Sequence, residues 1–191
     1  MQELVEIRWH ARAGQGAVTA SKLLAETALL QGQYIQAMPE YGPERTGAPL
    51  KAYTRVSNER IELHNNIVHP DIVVILDDTL LPIIDVLEGI KEGGTVILNT
   101  ALSAEEARAA LKAPADLRVA TVDASGIAVA TIKRDIPNTP IVGALAEITG
   151  VVPVQALKDN LIKSFGKKFS QEVIDANLAS VDRAVEEVKV A

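Results

Sequence analysis

Three short runs of nearly unbroken apolar residues constrain this chain most. They are residues 72–76 (IVVIL), 95–98 (TVIL) and 119–122 (VATV). A strand with one wet face alternates apolar and polar residues. A continuous apolar strand is expected where helices cover both faces of a parallel sheet. Helical patterns separate the runs. Leu80, Ile83, Ile84 and Leu87 share one helical face. Ser103 and Glu106 have the spacing of a capping box ahead of Ala107, Ala110 and Leu111. The order strand, helix, strand, helix predicts an α/β fold: an open, doubly wound, mostly parallel sheet with helices on both faces.

The flanking segments extend this pattern. Residues 4–9 alternate as a first strand. Ala17, Ala20, Leu24 and Ala28 recur at helical spacing, with Gly32 placed to end that helix. Residues 34–38 suit a second strand, and 39–49 hold too much Pro and Gly for a regular element. Residues 50–56 and 60–63 flank the polar triplet Ser57-Asn58-Glu59 and predict a β-hairpin over 50–63. The last third reads as helical. Thr139 is placed as an N-cap before Pro140, and Gly150 marks a terminus. A further helix is expected over 153–165, and Val173, Asn177, Val181, Ala184 and Val188 line a last one. A length of 191 residues fits a single domain, with an α/β core over 1–135 and a helical part over 136–191.

Composition removes several classes of function. There is no cysteine, so no iron–sulfur cluster, zinc–thiolate site or cysteine nucleophile can rest on this chain's own thiolates. His10, His64 and His69 lack metal-ligand spacing. The net charge of −6 carries no basic stripe for nucleic acid. No apolar run approaches the roughly 18 residues of a membrane span, and MQELVEIRW does not read as a signal peptide. A cytoplasmic protein is expected.

Three segments can carry chemistry. The first is His10-Ala-Arg-Ala-Gly-Gln-Gly-Ala-Val-Thr-Ala-Ser-Lys22, with a strand leading in and a helix leading out. Small residues admit a ligand close to the backbone. The helix start offers free N–H groups to a phosphate, with Arg12 and Lys22 as added charge. The spacing departs from G-x-G-x-x-G, and the same residues suit a tight turn that only packs the helix on the sheet. Glu40 stands roughly where an acidic residue binds a ribose in a dinucleotide fold, which keeps a free-standing NAD(P)-binding oxidoreductase open. The second segment is the stiff Pro39–Pro49 loop with Tyr41, Glu44 and Arg45, fit for docking a partner or for a plain crossover. The third is Ile136-Pro-Asn-Thr-Pro-Ile141, read first as a plain helix start, from which Asn138 could still face a partner or ligand at the sheet's carboxyl edge. Asp77, Asp78, Asn99 and Asp123 also follow apolar strands. Residues of these types there commonly cap the next helix, and Asp77 with Asp78 is not read as a catalytic pair. No Ser–His–Asp or Cys–His constellation assembles.

The segments Arg8-Trp-His-Ala-Arg-Ala-Gly-Gln-Gly-Ala-Val-Thr-Ala-Ser, Pro39-Glu-Tyr-Gly-Pro-Glu-Arg-Thr-Gly-Ala-Pro, Ile136-Pro-Asn-Thr-Pro-Ile-Val-Gly-Ala and Phe165-Gly-Lys-Lys-Phe-Ser-Gln-Glu-Val-Ile-Asp-Ala-Asn177 together resemble the gamma subunits of 2-oxoacid:ferredoxin oxidoreductases of the pyruvate type. The likeness spans nearly the whole chain. It departs at Ala11 and Ala13, where many relatives carry Gly. The resemblance implies a non-autonomous subunit of an enzyme that converts pyruvate, coenzyme A and oxidised ferredoxin to acetyl-CoA, CO2 and reduced ferredoxin. Thiamine diphosphate, Mg and iron–sulfur clusters are then expected only on the alpha, beta and delta partners. It implies coenzyme A as a co-substrate near Arg12, Gly14, Gln15, Gly16, Ala17, Thr19 and Lys22, and an interface at Tyr41, Glu44 and Arg45. A gamma chain serving 2-oxoglutarate or 2-oxoisovalerate, and a subunit that only supports assembly, remain alternatives.

Overall fold

The computed structural model describes residues 4–40, 47–166 and 168–191. Among these residues seven strands form one sheet in the order β2-β3-β1-β4-β5-β6-β7. They are β1 (Leu4–Arg12), β2 (Tyr34–Glu40), β3 (Pro49–Ser57), β4 (Ile72–Ile75), β5 (Thr95–Asn99), β6 (Arg118–Val122) and β7 (Lys189–Val190). The β1–β4, β4–β5 and β5–β6 pairs are parallel, and β3 and β7 run against their neighbours. All the other strands share one direction, so the sheet is mostly parallel, as its apolar runs predict.

Helices cover both faces. On one lie α1 (Ala17–Leu30), α3 (Ala124–Ile132), α4 (Asn138–Thr149), α5 (Val154–Phe165) and α6 (Gln171–Glu187). They enclose Ile7, Trp9, Val74, Ile97 and Ala120 of the sheet with Leu24, Leu145, Leu161 and Val181. On the other face Val73, Ile75, Val96, Leu98 and Val119 pack against Val86 and against Ala107 of α2 (Ala104–Leu111). Every residue of β4 is buried. A strand sandwiched in this way has no position for a polar side chain, which accounts for its unbroken apolar run. The capping box at Ser103 and Glu106 is present, and Gly150 ends α4 in the left-handed conformation.

Three expectations are corrected. The hairpin over 50–63 does not form. Strand β3 is hydrogen-bonded to β1 on one side and to β2 on the other, so no edge is left for residues 60–63, which carry no strand. The antiparallel partner of β3 across a loop is β2. The helix drawn through Leu80–Leu87 is instead a single 3-10 turn, Asp78–Leu80, followed by turns; Pro82 has no N–H to continue the ladder. Helix α4 begins at Asn138, two residues before the expected first helical residue Pro140, with Pro137 and not Thr139 at its N-cap position. Helix α3 and strand β7 add to the elements expected from the sequence. Because α3 is apolar nearly all round, it shows little helical periodicity.

Candidate functional site

The chain leaves β1 through α1, which covers one face, and leaves β4 through residues 78–94, which cover the other. The carboxyl ends of β1 and β4 therefore flank a topological switch point, where open α/β sheets bind ligands. Side chains bridge this crevice. Gln15 Nε2 donates to Asp77 Oδ2 at 2.6 Å, and Gln15 Oε1 accepts from the Arg12 N–H at 2.8 Å. Arg12 Nε donates to Thr79 Oγ1 at 3.0 Å and lies 3.4 Å from Asp77 Oδ2. Thr79 in turn donates its N–H and its hydroxyl to Asp77 Oδ1, at 2.9 and 2.6 Å. Arg12 also reaches the Gly47 carbonyl at 3.1 Å, and the Ala13 N–H bonds the Ala48 carbonyl at 2.9 Å. The end of the Pro-rich loop is thus tied to the turn after β1.

The turn itself needs its glycines. Gly14 has φ +105° and Gly16 φ +84°, a region that side chains with Cβ disfavour. Gly16 carries a second restriction. A Cβ there would stand 2.9 Å from Asn138 Nδ2 and 3.0 Å from its Cβ. Asn138 of the Ile136-Pro-Asn segment is thereby packed directly on the Gly14-Gln15-Gly16 segment. Its Oδ1 accepts from the Thr139 N–H at 2.8 Å. The Thr139 hydroxyl lies 3.1 Å from Asn177 Oδ1 on α6, and Asn177 Nδ2 donates to the Val173 carbonyl. Segments distant in sequence meet at one place. Ala11 and Ala13 fit their sites, since neither has positive φ.

Helix α1 starts at this turn without a side-chain cap. Its first internal hydrogen bond runs from the Ala20 N–H to the Gly16 carbonyl at 2.8 Å, so the N–H groups of Ala17, Val18 and Thr19 have no partner within the helix. Ala17 is buried, whereas Thr19 and Lys22 are exposed on one side of α1. Side chains on a helix lean toward its N-terminus, which inclines Lys22 toward the first turn of α1.

The electrostatics divide the site. Burial works against ionisation of Asp77, yet hydrogen bonds from Thr79 and Gln15, with Arg12 alongside, hold its carboxyl below the usual carboxylate range. Beyond Gln15 a cavity of about 270 Å³ is lined by Asp77, Asp78, Asp123 and Asp135. Four carboxylates there repel an anion, so a phosphate suits the α1 side of the turn and not this cavity. Asp77 and Asp123 also act as caps, taking the N–H groups of Thr79 and Gly126. Asn99 bonds the Leu76 carbonyl and Ser125. On the opposite face of β1 from Trp9, Arg8 Nε donates to His10 Nε2 at 3.0 Å. The His10 proton then sits on Nδ1, a buried atom without a partner among the described residues. Burial, then Arg8 and Lys51, pushes this imidazole down to about 3.

Of the residues picked out in the sequence, Arg12, Gly14, Gln15, Gly16, Ala17, Thr19 and Lys22 lie on this one turn and the first turns of α1. Glu40 does not join them. Strand β3 intervenes between β1 and β2, which sets β2 about 9.5 Å from β1, and Glu40 Oε2 accepts from the Tyr53 hydroxyl at 2.6 Å. The acidic ribose ligand that supported a dinucleotide site is therefore absent from the turn. Tyr41, Glu44 and Arg45 lie outside the described residues. The bridging role of Asp77 and the packing of Asn138 on Gly16 are long-range and escape a local reading. Among the described residues no His, Asp and Glu group fit for a metal occurs, and no helix is long and apolar enough to cross a membrane.

Comparison with known proteins gives the family and the fold of its relatives. A subunit named pyruvate synthase subunit PorC from Thermotoga maritima is 51% identical over 185 residues, covering 96% of this chain and 94% of the relative. A pyruvate/ketoisovalerate oxidoreductase common subunit gamma from Pyrococcus furiosus is 42% identical, covering 98% of each chain. The crystal structure of the Thermotoga maritima PORC subunit superposes with a TM-score of 0.87 over 100% of this chain and 99% of that one. Identity over that superposition is 45%. The model of the pyruvate ferredoxin/flavodoxin oxidoreductase family matches residues 6–187, and the chain belongs to that family.

Proposed function

We propose that this chain is the gamma subunit of a pyruvate:ferredoxin oxidoreductase and helps to place coenzyme A. Pyruvate, coenzyme A and oxidised ferredoxin would yield acetyl-CoA, CO2 and reduced ferredoxin. The observation that carries the reading is the uncapped start of α1 behind Gly14 and Gly16. Coenzyme A bears a pyrophosphate and a further phosphate, and a helix start offers both N–H groups and partial positive charge to them. Thr19 offers a hydroxyl and Lys22 a full charge from the exposed side of the same helix. Arg12 uses three of its five N–H groups on Thr79 and Gly47. It orders the turn and keeps two donors for a ligand.

Thiamine diphosphate with Mg and the iron–sulfur clusters fall to alpha, beta and delta partners, in keeping with a chain that has no cysteine. When bound there, thiamine diphosphate carries the decarboxylation. This chain would orient the acyl acceptor and support assembly in the cytoplasm, with the Tyr41–Arg45 stretch as the partner contact. Choice of 2-oxoacid would then belong to the partners, which fits a gamma relative named for both pyruvate and ketoisovalerate.

The test is Lys22→Ala in the complex assembled with its partner subunits. The expected result is a rise in the KM for coenzyme A of about tenfold, as for loss of a charge-assisted hydrogen bond, with the pyruvate KM unchanged. An unchanged coenzyme A KM removes Lys22 from the site and favours a subunit that serves assembly alone.

A further inference from the structure

Asp77 follows a different strand, two residues past the end of β4, and carries no part of the α1 start, yet both of its carboxylate oxygens are engaged around the turn. Oδ2 takes the Gln15 amide at 2.6 Å and faces Arg12 at 3.4 Å. Oδ1 takes both donors of Thr79, whose hydroxyl oxygen then receives Arg12 Nε. Gln15 returns its own oxygen to the Arg12 N–H. The ring Asp77, Gln15, Arg12 and Thr79 closes on itself across the β1–β4 crevice. It encloses Gly14 and ends next to Gly16, two glycines of positive φ that by themselves would leave the backbone free to vary.

We infer that Asp77 is a positioning residue: its carboxylate fixes Gln15 and Arg12, and so holds the turn at 14–16 and the first N–H groups of α1 in their ligand-ready form. The inference rests on the reading of that turn as the coenzyme A site. Asp77 meets no ligand itself. Its charge offsets Arg12, so its gain is order and not attraction, and a turn already ordered loses less entropy when an anion docks.

Asp77→Asn is close in shape but sets an amide N–H₂ against donors from Gln15 and Arg12. In the assembled complex the coenzyme A KM is expected to rise about tenfold, the factor given by ~1.4 kcal/mol. The kcat at saturating coenzyme A and the pyruvate KM should stay within about twofold. Adding Gln15→Glu returns an acceptor to the new amide and should recover most of the loss. A fall in thermal stability with an unchanged coenzyme A KM, or an equal rise in both KM values, overturns the inference. If Asp77→Asn blocks assembly, Thr79→Val decides: it removes the hydroxyl that takes Arg12 Nε and that donates to Asp77 Oδ1, but leaves the Gln15 link to Asp77 in place; a smaller rise in coenzyme A KM is expected, and none overturns the proposal. The two readings separate through Lys22→Ala. If that variant raises the coenzyme A KM and Asp77→Asn does not, only the role of Asp77 falls. If neither does, the coenzyme A site itself is misplaced.

Discussion

Replacing Gly16 by alanine should cost far more than the same change at Gly14, two residues away. Both glycines have positive φ, +84° and +105°. An L-residue held in that region costs about 1–2 kcal/mol, and both variants share a smaller offset from the stiffer unfolded chain. The two sites differ in surroundings. A Cβ at Gly14 meets nothing within 4 Å, whereas one at Gly16 meets the Nδ2, Cβ and Cγ atoms of Asn138 at 2.9–3.1 Å. Overpacking of this kind adds about 1–3 kcal/mol. Gly16→Ala should therefore lower stability by about 3 kcal/mol, or roughly 10 °C in Tm for a chain of this size. Gly14→Ala should cost about half as much or less. Urea unfolding can be followed by Trp9, the single tryptophan, which is fully buried with its Nε1 on Thr54. Asn138→Ala removes two of the three crowding atoms, so the double variant with Gly16→Ala should be less destabilised than the sum of the singles by about 1 kcal/mol. Equal losses at 14 and 16, or an additive double variant, would refute the claim that the two segments are packed together.

The other predictions concern protonation and ligand kinetics. His10 is depressed to about 3 from 6.5, so the unfolded chain binds a proton that the folded chain refuses. The stability from its burial is complete above about pH 6.5 and is lost as pH falls toward 3. His10→Gln, which keeps an acceptor for Arg8, should flatten that acid limb in urea titrations. A slope unchanged by the variant would mean that other groups drive it. Lys22→Ala should raise the coenzyme A KM and spare the pyruvate KM. Asp77→Asn should do the same through the turn, and Gln15→Glu should repair it.

Much of the fold is legible locally. The apolar runs of β4, β5 and β6 reflect burial on both faces, and the capping box of α2 and the Gly150 terminus are matters of single-residue chemistry. The failures share a cause. Residues 60–63 have strand character, but whether they pair depends on which edges β1 and β2 have taken. Leu80–Leu87 has helical spacing but is interrupted by Pro82. The site divides the same way. The turn of Gly14, Gln15 and Gly16 announces itself by composition and by its place between strand and helix. That Asp77 just after β4 closes it, that Asn138 of α4 rests on Gly16, and that Glu40 is carried away by β3 are consequences of topology. The families of residues that carry the resemblance converge in space although they are spread from 8 to 177 along the chain.

Hydrogen–deuterium exchange in the assembled complex, with and without coenzyme A, tests the central claim most directly. The backbone N–H groups of Ala17, Val18 and Thr19 have no helical partner and should exchange fast without ligand. Coenzyme A should slow exchange in the peptide spanning residues 12–22 more than in the peptides covering the opposite, amino edge of the parallel strands. Protection confined to other segments, with residues 12–22 unchanged at saturating coenzyme A, would contradict the placement of the ligand at this turn.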